Sequence, residues 1–214
     1  MKVIVFGATG MVGQGVLRES LLAKDVESVV SVGRRPTGVR HAKLHEVTLT
    51  DFADLSPIVD DLAGADACFY CLGVSSVGMD EAEYTRISYD FPLAAARTLK
   101  GLDPQLTFVY VSGAGTDPGG RRMWQRVKGR AEAEIIGLMP NGYAFRPGLI
   151  IPTHGAGPRS RFFRGAFAVA GPLLRVFDRV APKYSTSSDK LGRAMLRAAR
   201  GGFHTHIIQY EDLR

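Results

Sequence analysis

Val3-Ile4-Val5-Phe6-Gly7-Ala8-Thr9-Gly10-Met11-Val12-Gly13 decides how this chain folds. The β-branched run over 3–6 reads as a short buried strand that stops at Gly7. The glycines at 7, 10 and 13 are spaced three and three. A turn this tight needs residues that tolerate positive φ. It also needs backbone without Cβ where a diphosphate approaches, and a small residue where helix meets strand. Val12, Val16, Leu17 and Leu21 then share one face, which predicts a helix over 12–23. The start of that helix offers free N–H groups and a positive dipole end to an anion. Strand, glycine turn and helix in this order point to dinucleotide binding. The plain alternative is a packing turn that binds nothing.

Outward from this unit, strand and helix alternate. Strands are expected over 26–32, 44–49, 67–72, 106–111 and 143–145, with a last one over 206–210. Helices are expected over 55–62, opened by Ser56-Pro57, over 81–100 with Gly101 as its C-cap, over 122–138 and over 191–200. Ser185, Thr186, Ser187, Ser188 and Asp189 read as the N-terminal cap of the last helix. Such alternation implies βαβ crossovers and an α/β, doubly wound parallel sheet with helices on both faces. Ligands on these sheets bind at the carboxyl ends of the strands.

The chain has 214 residues, 45% of them hydrophobic and 22% charged, which suits one folded domain over 1–214 and excludes a disordered chain. The apolar stretch around 166–174 carries Gly171 and Pro172 and is too short for a bilayer span. With no signal peptide visible, a cytoplasmic location is expected. Cys68 and Cys71 fall on opposite faces of a strand, so neither a disulfide nor a metal pair is expected. The net charge of +6 is uneven: the first 120 residues are net acidic and 121–200 strongly basic. A phosphorylated ligand, a docked polyanion or simply solvated arginines each account for the basic half. A nucleic-acid role would need exposed stacking aromatics, and no such motif is present, so no nucleic-acid partner is expected.

The second expected strand ends Val32-Gly33-Arg34-Arg35. An NAD-selective site usually places Asp or Glu there for the ribose 2′-hydroxyl. A carboxylate would repel a 2′-phosphate, whereas guanidinium groups bind it bidentately. Arg34 and Arg35 therefore point to NADP (NADPH), unless they are only solvated loop arginines.

The run of motifs from the glycine turn through Gly33-Arg34-Arg35, Cys71-Leu72-Gly73, Val127-Lys128-Gly129 and Phe145-Arg146-Pro147-Gly148 resembles the atypical short-chain dehydrogenases/reductases, above all their Tat-interacting-protein-like branch. The resemblance covers about residues 1–200 and implies a Rossmann-type domain. It implies cofactor contacts from Gly7, Thr9, Gly10, Met11, Val12 and Gly13. Thr48 and Leu49 would lie beside the adenine, although many relatives carry Asp at the place of Thr48. Leu72, Gly73 and Val74 would pass along the ribose and diphosphate. Arg146, Pro147, Gly148 and Leu149 would turn beside the nicotinamide. Ser112 matches the family's catalytic serine. Lys128 matches its catalytic lysine, which also binds the nicotinamide ribose.

The family's Tyr stands four residues before that Lys, one helical turn away on the same face. Here the position holds Trp124, whose indole N–H donates a hydrogen bond but does not ionise. The proton relay is thus absent unless another group replaces it. Tyr184 and His154 are the candidates, with Tyr84 and Tyr110 less suited, on a helix and inside a buried strand. Residues 150–185 would form a small region covering the substrate side. Phe163, Phe167, Ala170, Leu174 and Phe177 recur there at helical spacing, as a buried stripe, an apolar substrate pocket or a membrane-surface face. Two functional readings follow. One is an NADP-dependent oxidoreductase, epimerase/dehydratase-like, acting on a small-molecule carbonyl substrate with an altered catalytic motif. The other is a non-catalytic NADP(H) sensor that binds a protein partner, as NmrA-like proteins do.

Overall fold

In β1 (Lys2–Phe6) alternate residues face opposite ways: Val3 and Val5 enter one apolar layer, Ile4 and Phe6 the other, and all four are fully buried. This period-two pattern without a polar face marks a strand covered on both sides. The computed structural model describes residues 1–153 and 185–213. Around β1 it assembles β2 (Ser28–Gly33), β3 (Leu44–Thr48), β4 (Ala67–Tyr70), β5 (Thr107–Val111), β6 (Gly142–Arg146) and β9 (Ile207–Gln209). All pairs are parallel and the order is β3-β2-β1-β4-β5-β6-β9, the doubly wound arrangement expected. β7 (Leu149–Ile151) and β8 (Ser185–Ser187) pair in parallel as a separate two-stranded sheet.

One face is covered by α1 (Met11–Leu22) and α6 (Ser188–Ala199), which bury Val16, Leu17, Leu21, Leu191 and Met195 against β1, β4 and β6. The two helices approach closely at Gly15, where a Cβ would lie 2.5 Å from the Ser188 carbonyl oxygen. The other face is covered by α2 (Val59–Leu62), α4 (Phe91–Leu102) and α5 (Met123–Leu138). Cys68 packs in this second layer and Cys71 against the first, and both are free thiols. Among the described residues no helix is long and apolar enough to cross a membrane.

Three local expectations are revised. The helix over 81–100 is not uniform: α3 (Glu81–Thr85) passes through a π-helical turn at Arg86–Asp90 before α4. Asp80 caps it by accepting from the Glu83 backbone N–H at 2.8 Å. Gly101 does not end it; it lies inside the last turn, and the Asp103 N–H closes the helix on the Leu99 carbonyl. The Ser/Thr segment before the last helix is partly strand β8, and Ser187 at the cap makes no capping hydrogen bond through its side chain. The expected covering region lies largely outside the described residues, and so do Tyr184, His154 and the Phe163–Phe177 stripe.

Candidate functional site

In a parallel sheet every strand delivers its following loop to the same edge. Two cavities open there. The first, of about 600 Å³, is lined by Gly7, Thr9 and Gly10 after β1, by Gly33, Arg34 and Arg35 at the end of β2, by Thr50 and Phe52 after β3, and by Cys71, Leu72 and Gly73 after β4. Gly7 sits at φ +75°, and a Cβ on it would lie 2.7 Å from the Leu72 backbone nitrogen. Gly13 is sealed still more tightly, since its Cβ would lie 2.1 Å from the Gly7 carbonyl oxygen. At Gly10 only that same oxygen is near, at 3.3 Å. Gly10 is the N-cap of α1, no side chain caps it, and no acidic residue occupies the first turn. A backbone cradle with a helix start and two arginines fits a dinucleotide phosphate, and among the described residues no carboxylate lines its wall.

Not every residue implied by the resemblance reaches this cleft. Met11, Val12 and Gly13 form the first turn of α1 behind Gly10. Thr48 ends β3 with its side chain exposed, and Leu49 is buried in the core. Val74 is exposed beyond the wall. Thr50 and Phe52 occupy the β3 side instead, and the sequence reading missed both. Phe52 hides among core aromatics, 6.3 Å edge-on to Phe6.

The second cavity, of about 670 Å³, is lined by Ser75 and Ser76, Gly113 and Ala114, Pro147, Gly148 and Leu149, with Tyr84, Trp124, Lys128 and Tyr210. Trp124 and Lys128 stand one turn apart on α5 and share this wall, as their spacing requires. Tyr84, set aside in the sequence reading because it lies on a helix, also reaches the pocket and is nearly fully buried. Tyr210 arrives from the turn after β9 and was not anticipated.

Among the described residues Lys128 is the one charged residue in this wall. Its Nζ donates to the carbonyl oxygens of Val111 at 3.3 Å and Ser112 at 3.1 Å, and lies 5.6 Å above the Tyr110 ring. Burial lowers its pKa to about 8, with Glu132 pulling the other way. The Ser112 hydroxyl is buried and pairs with the Thr116 hydroxyl at 2.9 Å; it is not in the pocket wall. Tyr110 donates its hydroxyl to the Ser88 carbonyl at 2.8 Å. Arg146 also leaves the wall: its guanidinium binds both oxygens of buried Glu132. Among the described residues the arrangement presents one cation beside aromatic walls, with an indole in place of a phenol one helical turn before Lys128.

Known proteins share this plan. The chain is 24% identical over 206 residues to Protein FMP52, mitochondrial, of Meyerozyma guilliermondii, across 93% of this chain and 85% of that protein. It is 27% identical over 153 residues to Protein HTATIP2 of Rattus norvegicus, across 70% of this chain and 63% of that protein. A solved short chain dehydrogenase family protein from Francisella tularensis superposes with a TM-score of 0.72 at 12% identity, across 99% of this chain and 97% of that one, a likeness of fold. The expectation of a cytoplasmic location is corrected by these relatives, because FMP52 proteins from several species are named mitochondrial. Composition without a bilayer span does not distinguish one aqueous compartment from another. The model of the NAD dependent epimerase/dehydratase family matches residues 3–119, more than half of the sequence. With its glycine turn, its doubly wound sheet and these relatives, the chain belongs to that family, as an atypical short-chain dehydrogenase/reductase.

Proposed function

We propose that this protein is an NADP(H)-dependent oxidoreductase that holds its dinucleotide in the first cleft and its substrate in the second pocket. The observation that carries the reading is the cleft wall itself. Arg34 and Arg35 lie in it together with Gly7 and Gly10, and among the described residues no carboxylate does. The glycines would admit the diphosphate and the arginines a 2′-phosphate. Bound there, the nicotinamide supplies or accepts a hydride. Lys128 places a positive charge at the pocket, and Trp124, Leu149 and Pro147 keep water from its apolar side.

Titration of NADPH and NADH against the wild type and an Arg34→Ala/Arg35→Ala double variant tests this reading, with energy transfer from Trp124 to the reduced nicotinamide as signal. The wild type should prefer NADPH, and the variant should lose about one to two decades of NADPH affinity while NADH affinity stays. Equal affinities in the wild type would sink the NADP assignment.

A second reading, the non-catalytic sensor, is favoured by the relay positions. Trp124 does not ionise, and Ser112 is tied to Thr116. Trp124→Tyr separates the two. It places a phenol one turn from Lys128, and aldehyde reduction should rise by about 10²-fold or more, the ordinary worth of general acid catalysis. Wild-type turnover of a carbonyl substrate at about 1 s⁻¹ or faster would exclude the sensor.

A further inference from the structure

Among the described residues two phenols line the second pocket, Tyr84 and Tyr210, and the fold holds them differently. Tyr84 is nearly fully buried on α3, where burial pushes its pKa up. Tyr210 is half-buried and opens the short helical turn Tyr210–Asp212 that follows β9. β9 lies parallel to β6, with Gln209 level with Arg146. The residues that follow each strand, Tyr210 on one and Pro147, Gly148 and Leu149 on the other, reach one pocket wall. The turn is held at both ends. The Gln209 backbone N–H donates to the Asp212 carboxylate at 3.2 Å, and Leu213 is buried in the same apolar layer as Phe145 and Ile208. The buried Thr186 hydroxyl donates to the Leu213 carbonyl at 3.1 Å. Thr186 belongs to β8, whose partner β7 begins with the wall residue Leu149. Tied to both sheets, the turn fixes the Tyr210 backbone beside the pocket.

We propose that Tyr210 is the proton donor of the second pocket, its hydroxyl bonded to the carbonyl oxygen of the substrate as that carbonyl is reduced. The proposal rests on the reductase reading above and adds a catalytic residue to it. The substrate carbon gains a hydride, two electrons and one proton, as a C–H bond of the reduced nicotinamide breaks and the nicotinamide is oxidised. The C=O double bond becomes single, and its oxygen forms an O–H bond with the proton that leaves Tyr210. A phenolate remains, and water returns its proton. Phenols as a class suit this step. They ionise near pH about 10, so they hold the proton at neutral pH, yet they are far more acidic than the alcohol being made. Exposure matters as well. A donor must regain a proton in every cycle, and half-buried Tyr210 meets solvent where enclosed Tyr84 does not. The Lys128 ammonium in the same wall favours the phenolate that forms in passing.

Tyr210→Phe removes the hydroxyl and keeps the ring. NADPH binding is measured first, by energy transfer from Trp124, the single tryptophan of the chain, and should be unchanged in the variant. With benzaldehyde as substrate, Tyr210→Phe should lower kcat by about 10²-fold or more. Calorimetry of benzamide, an unreactive carbonyl compound of the same shape, with the NADPH complex reads the hydrogen bond without turnover. Its affinity should fall about three- to tenfold in the variant. Tyr84→Phe, Tyr184→Phe and His154→Ala are measured beside it as the competing donors. A smaller loss of kcat in Tyr210→Phe overturns the inference, as does unchanged benzamide affinity, weakened NADPH binding or a larger loss in any competing variant. In each of these cases a wild type that binds NADPH and reduces benzaldehyde leaves the reductase reading standing. Bound NADPH without benzaldehyde reduction by the wild type overturns the inference and supports the sensor. Failure to bind NADPH overturns the reductase reading and the inference with it.

Discussion

Arg146, the last residue of β6, places its Nε 3.0 Å from one Glu132 oxygen and its Nη2 2.5 Å from the other. Glu132 lies one turn beyond Lys128 on α5 and is almost fully buried. The pair fastens α5 to the sheet beside the pocket. It also uses the arginine that the family resemblance assigned to the nicotinamide turn. Breaking a buried pair from one side leaves the other charge uncompensated. Arg146→Met should therefore cost about 3–5 kcal/mol in urea unfolding. Replacing both partners with apolar residues of similar volume should recover much of that loss. Equal stability of the wild type and the single variant would show that the pair does not brace α5.

The pH response of Lys128 follows from its surroundings. Burial lowers its pKa to about 8, while Glu132 on the next turn raises it, with the Tyr110 ring beneath the ammonium and Tyr84 on the same wall. An unfolded lysine titrates near 10.4. Between these values the unfolded chain binds a proton that the folded chain has released, so this group makes stability rise with pH. Denaturant midpoints at pH 7.5 and pH 9.5 should show that rise, and Lys128→Met should flatten it. On the reductase reading, NADPH-dependent turnover should decline above pH about 8, as the Lys128 ammonium loses its proton. Glu132→Gln should move that decline to lower pH. An unchanged profile in Glu132→Gln would rule out Lys128 as the group that titrates.

The three glycines of the first turn should respond differently to a side chain. A Cβ at Gly13 would meet the Gly7 carbonyl oxygen at 2.1 Å, too close for either to yield without moving the strand–helix joint. Gly13→Ala should be destabilised by about 1–3 kcal/mol or more. At Gly10 the nearest atom would be 3.3 Å away and the remaining space belongs to the cleft. Gly10→Val should keep its fold by circular dichroism and lose NADPH binding. Normal binding by Gly10→Val would place the dinucleotide elsewhere.

The doubly wound fold was legible because its signals are local. Fully apolar strands such as 3–6 and 67–70 pack on both faces, and a glycine triplet between strand and helix serves few other geometries. The opposite facing of Cys68 and Cys71 follows from strand period alone, and the shared face of Trp124 and Lys128 from helix period alone. The departures began where local rules compete. Gly101 carried the signature of a C-cap, yet its helix runs on to Leu102 and closes through Asp103. The π-helical turn before Phe91 had no sequence signal. Thr50, Phe52, Tyr84 and Tyr210 entered the cavities because β3, β4 and β9 deliver their following segments to one edge of the sheet. The pairing of Arg146 with Glu132 likewise needed β6 to lie beneath α5. Sequence determined which segments form most of the strands and helices and where the glycine turn keeps the backbone open, since these depend on neighbours within a few residues. Only the tertiary structure decided which side chains meet across the pocket, because their meeting depends on strand order, which joins residues far apart in the chain.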